Sequence, residues 1–395
     1  MRRRGKPRDG AFILLILLLT ELCLSIESLS SNTHNDLSKI NSGIEAKKWD
    51  FRGHSINYEI VKWDEENERE NSSPILLLNG FGVGSFHQHR LMSEMKNNHD
   101  VQRPIYAMDY LGQGKSWPID CDDGKSPNEI GLLYSADTWV DQIIQFLEEI
   151  VLSKKKKVHL VGNSVGGHLA VVVASKRPDL VESICLLNAT PVWGLNLPFW
   201  SGKLPAPSIP KFIGRTLFDR IRDLRTIETY LSAAYSNREA FDTVLMNQIR
   251  SCTEGKGGHA AFASILWSPP ATKENFYQLL SQLECDVLLL FGQNDPWCKP
   301  VLAQKMFDSM ISKTSRHHHR YLQLFNVGHC PNHEAPKAVA KALTTWISNE
   351  KNRSKLSFFD GKKEETFIEE WGEISMREDE NVEINFLDRV TKLLI

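Results

Sequence analysis

The chain has 395 residues, enough to bury a core without disulfide staples. Hydrophobic residues at 41% and charged residues at 24% exclude wholesale disorder, collagen and coiled coil. Lys+Arg 47 against Asp+Glu 49 leaves a net −2, so there is no general field for nucleic acid, and the absence of any C-x-x-C pair among seven cysteines removes zinc-ribbon and thioredoxin-type motifs.

Arg2, Arg3, Arg4, Lys6 and Arg8 precede the apolar run Ala11–Leu19, which Glu21 cuts well short of the roughly 20 residues a membrane span needs. Residues 1–28 therefore read as a signal peptide, with an uncleaved signal anchor as the alternative. Residues 29–46, rich in Ser and Asn, read as a linker or second targeting element. The two together resemble the bipartite plastid leader of algae with secondary plastids; secretion or residence in the ER is the rival reading. Sequons at Asn71 and Asn352 permit glycosylation, whereas the one at Asn188 falls at a buried strand end and is expected to stay silent.

Lys48–Phe51 and Ile56–Trp63 flank a turn and read as an antiparallel pair. Ile75–Leu78 is a continuous apolar run, as expected of a strand buried on both faces. Strands follow at Pro104–Tyr110, Val158–Val161, Ser183–Leu187, Asp286–Phe291 and Tyr321–Phe325, with helices at Thr138–Leu152, Gly166–Ser175 and Glu334–Ser348. This alternation means an α/β fold with a mostly parallel, doubly wound sheet. The core is expected over residues 47–191 and 283–351. Residues 192–282 interrupt it as a helical cap, opening on a Pro/Trp-rich stretch and continuing through Ile213–Asp223, Thr226–Tyr235, Arg238–Cys252 and Gly258–Leu266. Residues 352–395, with 11 acids and 7 bases, read as a separate charged tail, solvated unless Phe386–Ile395 docks as a short helix.

Three motifs lie on this scaffold. Gly162-Asn163-Ser164-Val165-Gly166-Gly167 joins a strand to a small-residue helix, the context of a nucleophile elbow that exposes Ser164 and aims a helix N-terminus at the reaction centre. Asp295, after the Asp286–Phe291 strand, is the candidate acid, and His329, after the last strand, the candidate base. The order Ser, Asp, His is that of α/β-hydrolases. The oxyanion hole needs two backbone N–H groups: Val165, following the nucleophile, supplies one, and Phe81 of the loop Asn79–Gly84 the other. That loop lacks the Lys-Ser/Thr ending of a phosphate cradle. His329 would take the Ser164 proton, Asp295 would orient the imidazole, and an acyl-enzyme would form and be cleared by water. A Ser at the elbow argues against epoxide-hydrolase and dehalogenase chemistry, where Asp stands there. No cofactor or metal is called for. His317–His319 and Lys154–Lys157 read as solvated segments, and Cys298 and Cys330 as packing beside the site.

Residues 74–348 resemble the pheophytinase branch of the α/β-hydrolases, plant and algal enzymes that remove phytol from chlorophyll pigments. The stretches that carry this are Asn79–Phe86 (NGFGVGSF), Asp109–Gly114 (DYLGQG), Gly162–Gly167 (GNSVGG), Leu186–Gly194 (LLNATPVWG), Phe262–Leu266 (FASIL), Asp295–Trp297 (DPW) and Gly328–Pro331 (GHCP). The resemblance implies the α/β-hydrolase fold with Ser164, Asp295 and His329 as triad. It also implies an ester joining a long apolar alcohol to a bulky tetrapyrrole acid, taken up under an apolar cap. Val165 stands where the branch usually has Leu, and the cap diverges, so pheophytin, chlorophyll and a general lipid ester all stay open, as does, at a greater remove, a C–C bond hydrolase. So apolar a substrate is compatible with peripheral membrane contact.

Overall fold

The computed structural model describes residues 43–63, 72–98, 102–118, 134–152, 157–193, 208–255, 257–259, 261–262, 274–311, 317–350 and 352–378. The leader over 1–28, most of the 29–46 linker, Asn71, most of Lys154–Lys157, the Pro/Trp-rich opening of the cap beyond Trp193, the 263–266 end of an expected cap helix and residues 379–395 lie outside them.

Among the described residues ten strands form one sheet: β1 (Glu45–Phe51), β2 (His54–Val61), β3 (Ile75–Leu78), β4 (Ile105–Met108), β5 (Val158–Asn163), β6 (Val181–Leu187), β7 (Asp286–Gly292), β8 (His319–Phe325), β9 (Glu364–Glu369) and β10 (Gly372–Glu378). Their spatial order is β1-β2-β4-β3-β5-β6-β7-β8-β10-β9. The central strands β4 to β8 run parallel, and an antiparallel pair closes each edge. The continuous apolar runs follow from burial on both faces. Leu76 and Leu78 of β3 and Val287, Leu289 and Phe291 of β7 enter one core. Their neighbours Ile75, Leu77, Leu288 and Leu290 enter the other.

The first core packs beneath the helices Ala136–Phe146, Val165–Lys176, Phe276–Ser281 and Pro300–Ile311. The second packs beneath His89–Asn97 and Pro336–Ser348. His89–Asn97, Phe276–Ser281 and Pro300–Ile311 have no counterpart in the sequence reading, and Phe276–Ser281, expected inside the 192–282 cap, packs into the sheet core instead. In the cap, helices run over Ser208–Ile221, Leu224–Ala234 and Thr243–Ser251. The expected helix Arg238–Cys252 divides because the Asp242 carboxylate caps the Leu245 N–H at 2.8 Å, so the main helix starts at Thr243. A small cluster built on Phe86, Ile227, Leu231, Tyr235 and Cys330 fixes the cap to the sheet edge. No helix among the described residues is long and apolar enough to cross a membrane.

The largest departure from the sequence reading is the C-terminal segment. Residues 352–378 are not a separate solvated tail: 364–378 add β9 and β10 to the sheet, and Leu356, Phe358 and Phe359 of the stretch before them pack into the core. β10 pairs with β8, Arg353 is buried with its guanidinium 2.6 Å from Asp286, and Phe358, Phe359, Ile374 and Met376 enter the second core. Many of the charges that suggest solvation, Glu364, Glu370 and Glu373 among them, are exposed on an edge hairpin, where they discourage further strand pairing, whereas Glu369 is buried. Met376 has no exposed surface, so Met376→Ala should lower the unfolding free energy by about 2–5 kcal/mol. Urea denaturation checks this, and a solvated tail would give no measurable change.

Candidate active site

β5 passes into the helix Val165–Lys176 through Ser164, whose backbone stands at φ 55° and ψ −118°. That conformation is strained for a residue with a side chain and persists only where packing imposes it. A Cβ on Gly162 would lie 2.4 Å from the Gly166 carbonyl, and one on Gly166 would lie 2.3 Å from the Leu78 carbonyl oxygen. Only hydrogen at both positions lets the turn close this tightly. The Ser164 carbonyl accepts the N–H groups of Gly167, His168 and Thr190 at 3.1–3.2 Å. Val165 is the first residue of the helix, so its N–H has no acceptor within the helix.

His329 and Asp295 meet as expected, with Nδ1 of the imidazole 2.7 Å from Oδ2 of the carboxylate, both residues buried. A carboxylate only accepts, so the Nδ1 proton points at Asp295 and Nε2 is left as the basic nitrogen. Burial pushes the Asp295 carboxyl up, but His329 and the N–H groups of Trp297 and Cys298, at 2.8 and 3.0 Å, outweigh it and hold the group below its usual range. The Trp297 ring stands edge-on to the His329 ring at 4.8 Å. Asn163, which precedes Ser164, ties the elbow to the His329 loop: its Nδ2 donates to the carbonyls of Leu187, at the end of β6, at 3.1 Å and of His329 at 2.9 Å.

The loop after β3 lies against the elbow because Leu78 pairs in register with Gly162. A Cβ on Gly80 would be 3.5 Å from that of Ser164, so the backbone leading to Phe81 passes directly beside the candidate nucleophile. Gly82 N–H donates to Gln113 Oε1 at 2.8 Å and fixes the turn. The half-exposed Phe81 ring is 5.8 Å from Phe262, which is 6.0 Å from Phe218 of the cap, giving an aromatic wall that runs outward from the elbow. The Asp109–Ser116 segment folds around a buried carboxylate. Buried Asp109 accepts from Asn57 at 3.0 Å and from the Lys115 N–H at 2.7 Å.

Cys298 and Cys330 are buried, and burial pushes both thiols well above their usual range, so they are poor thiolates. Ligand atoms of Cys298, Asp295 and His329 lie within 4.8 Å of one another. The Asp295 oxygens are already engaged by Trp297, Cys298, Asn188 and His329, so the packing reading of Cys298 accounts for the grouping. In the run His317–His319, the His318 N–H and the His317 ring both face Asp286, and His319 opens β8.

Two polar residues of the site escape the sequence reading. Asn188, legible only as a sequon, is buried at φ 43°. Its Nδ2 donates to Asp295 Oδ2 at 2.7 Å, and its Oδ1 accepts the Gly292 N–H at 2.9 Å. Asn is the side chain that best tolerates such a backbone. Glu334, expected to start the closing helix, instead ends a short helix Pro331–Glu334, and its carboxylate turns back onto the His329 loop. The long helix begins only at Pro336.

A model of the alpha/beta hydrolase family matches residues 75–342. The chain belongs to the alpha/beta hydrolase family. It is 29% identical to the chloroplastic pheophytinase of Arabidopsis thaliana over 313 residues, which is 70% of this chain and 61% of the pheophytinase. It is 28% identical to a proline iminopeptidase of Lactobacillus acidophilus over 276 residues, 66% of this chain and 85% of that one. The fold is shared with a bacterial membrane phospholipase A (TM-score 0.55, 18% identity, 87% of this chain and 98% of that one). It is also shared with a thermophilic esterase of Thermogutta terrifontis (TM-score 0.54, 18% identity, 78% and 99%).

Asn188→Ala leaves Asp295 Oδ2 and the Gly292 N–H each short of a buried partner. It should lower stability by about 1–3 kcal/mol. Asn188→Asp, which sets a second carboxylate against Asp295, should cost more than the alanine. Urea unfolding of the two variants checks the order.

Proposed function

We propose that this alpha/beta hydrolase is a serine carboxylic ester hydrolase that removes phytol from a chlorophyll-type pigment, pheophytin or chlorophyll. The observation that carries the chemistry is the His329–Asp295 pair, tied through Asn163 to the strained elbow bearing Ser164. His329 Nε2 takes the Ser164 proton as Oγ attacks the ester carbonyl. Asp295 keeps the tautomer and stabilises the imidazolium. The N–H groups of Val165 and Phe81 receive the oxyanion. His329 then protonates the leaving alcohol, and water clears the acyl-enzyme. None of these steps calls for a metal or cofactor.

The substrate class rests on two supports. One is the similarity to pheophytinase. The other is the aromatic wall Phe81–Phe262–Phe218, which suits a long apolar chain. A lipid or acylglycerol ester would use the same wall. Exposed Trp117, Phe212 and Ile213 suit peripheral contact with the membrane that holds such esters. A signal-type leader that ends in delivery to a plastid accords with a pigment substrate.

Incubating the purified protein separately with pheophytin a and chlorophyll a, and following phytol by chromatography, tests the proposal. Wild type should release phytol from at least one pigment. Ser164→Ala should be slower by about 10⁴-fold or more, as for removal of a triad nucleophile. Loss of short-ester turnover in Ser164→Ala with no phytol from either pigment would leave a lipid esterase and overturn the pigment assignment.

A further inference from the structure

Glu334 is buried, and the reaction as derived gives it no task. Its oxygens nevertheless accept the N–H groups on both sides of His329: Gly328 at 3.0 Å and Cys330 at 3.1 Å. The oxygen that takes Gly328 also accepts the Ser236 N–H of the cap at 2.8 Å. The His329 N–H itself donates to the cap carbonyl of Ala234 at 2.7 Å. A Cβ on Gly328 would come within 2.1 Å of that same carbonyl oxygen, so the cap loop and the His329 loop are in backbone contact, with one carboxylate bracing both. Asn294, next to Asp295, donates to the Ser236 hydroxyl at 2.7 Å and joins the acid loop to the same brace.

The tip of the C-terminal hairpin completes it. Trp371, between β9 and β10, donates its indole N–H to the Glu334 carbonyl at 2.7 Å and accepts from the cap residue Asn237 at its own carbonyl. The Arg90 guanidinium lies 4.4 Å from the Trp371 ring, and Arg90 also donates to the carbonyls of Ala240 at 2.7 Å and His333 at 3.1 Å. Four separate segments (hairpin, cap, His329 loop and the helix His89–Asn97) therefore meet at Glu334 and Trp371.

We propose that Glu334 and Trp371 are positioning residues for His329, the hairpin tip locking Glu334 and Glu334 holding the backbone on both sides of the base against the cap. The proposal rests on the Ser164–His329–Asp295 reading above. It gives the hairpin a role in proton transfer at Ser164 beyond extending the sheet.

Charge on Glu334 matters because only the carboxylate accepts all three N–H groups without competition from its own proton. Burial, opposed by those three N–H groups and by His329, pushes it up to about 7. The brace is therefore intact above that pH and loosens as pH falls through it. The titratable groups around it are His329 and Cys330 on its own loop, Tyr235 on the cap, and Arg90 behind Tyr235. Burial keeps Cys330 and Tyr235 protonated at neutral pH. Glu369 of the hairpin, also pushed up to about 7 by burial, accepts from the Lys337 and Ala338 N–H groups, so it titrates alongside Glu334.

The test compares full-chain wild type with Glu334→Gln, Trp371→Phe and Trp371→Ala. The measurements are thermal unfolding, kcat and KM for p-nitrophenyl butyrate between pH 5.5 and pH 9, and the rate at which a fluorophosphonate labels Ser164, a readout that needs no knowledge of the natural ester. Glu334→Gln keeps the shape and loses one acceptor oxygen. Its kcat at pH 8.5 should fall about tenfold or more, with KM changed less than about twofold, and labelling should slow in proportion. The ratio of wild-type to Glu334→Gln kcat should shrink toward one as pH falls below 6. Glu369 is common to both proteins and cancels in that ratio. Trp371→Phe keeps an aromatic ring facing Arg90 but removes the indole N–H donor. It should lower kcat a few-fold at unchanged KM, and Trp371→Ala should lower it further. A folded Glu334→Gln with wild-type kcat and labelling rate, or a kcat ratio flat across pH, overturns the proposal and leaves the hydrolase reading intact. Should Glu334→Gln not fold, wild-type kcat and labelling in Trp371→Phe overturn it instead. A wild-type Ser164 that neither turns over the ester nor labels overturns both readings together.

Discussion

The backbone of Ser164 is the constraint on which the site depends. At φ 55° and ψ −118° it is held where a free chain would not stay. Two glycine positions without space for a methyl group and a neighbouring strand end at Leu78 enforce it. The pairing of β3 with β5 therefore does more than build the sheet. It brings the loop Asn79–Gly82 beside the elbow, so the candidate oxyanion donor and the candidate nucleophile come from adjacent strand ends. This is the arrangement expected at the carboxyl edge of a parallel sheet, where loops from separate strands converge.

His329 and Asp295, the candidate base and acid, are positioned by a different device, a chain of buried amides and carboxylates. Asn188 grips Asp295 from below, Asn163 grips the His329 carbonyl, and Glu334 grips the N–H groups around His329. Each is a buried polar group that would be costly if left unpaired. Because each is satisfied, the loops after β7 and β8 are pinned without regular secondary structure. The cap takes part through Ala234 and Ser236, so its seating on the sheet and the placement of His329 are one packing problem.

The elements that make this frame were legible wherever a local pattern carried them. Ile75–Leu78, Val158–Val161 and Asp286–Phe291 read as strands because burial on both faces leaves no polar alternation. The glycines of the elbow and the order Ser164, Asp295, His329 announce their context within a few residues. What escaped is what depends on distant partners. Asn188 meets Asp295 across 107 positions, and Ser236 meets Glu334 across 98. Asn188 reads as a sequon inside a family stretch and Glu334 as a helix start, and neither local context names the distant partner. The hairpin β9–β10 escaped for another reason. Ile374 and Met376 alternate correctly for one buried face, but the edge-strand charges around them outweigh two apolar residues in any composition window. The split of the expected helix at Asp242 shows the same limit on a small scale: one capping carboxylate decides a boundary that apolar spacing alone cannot place.

The central claim is that Ser164 becomes acylated with His329 as its base. Rapid mixing with p-nitrophenyl acetate, acid quench, and mass analysis of the Ser164 peptide measures this directly. A burst of nitrophenolate, with one acetyl group on the Ser164 peptide and none on it in His329→Ala, is the predicted result. Steady nitrophenolate release with Ser164 never acetylated, or acetylation undiminished in His329→Ala, would contradict the account.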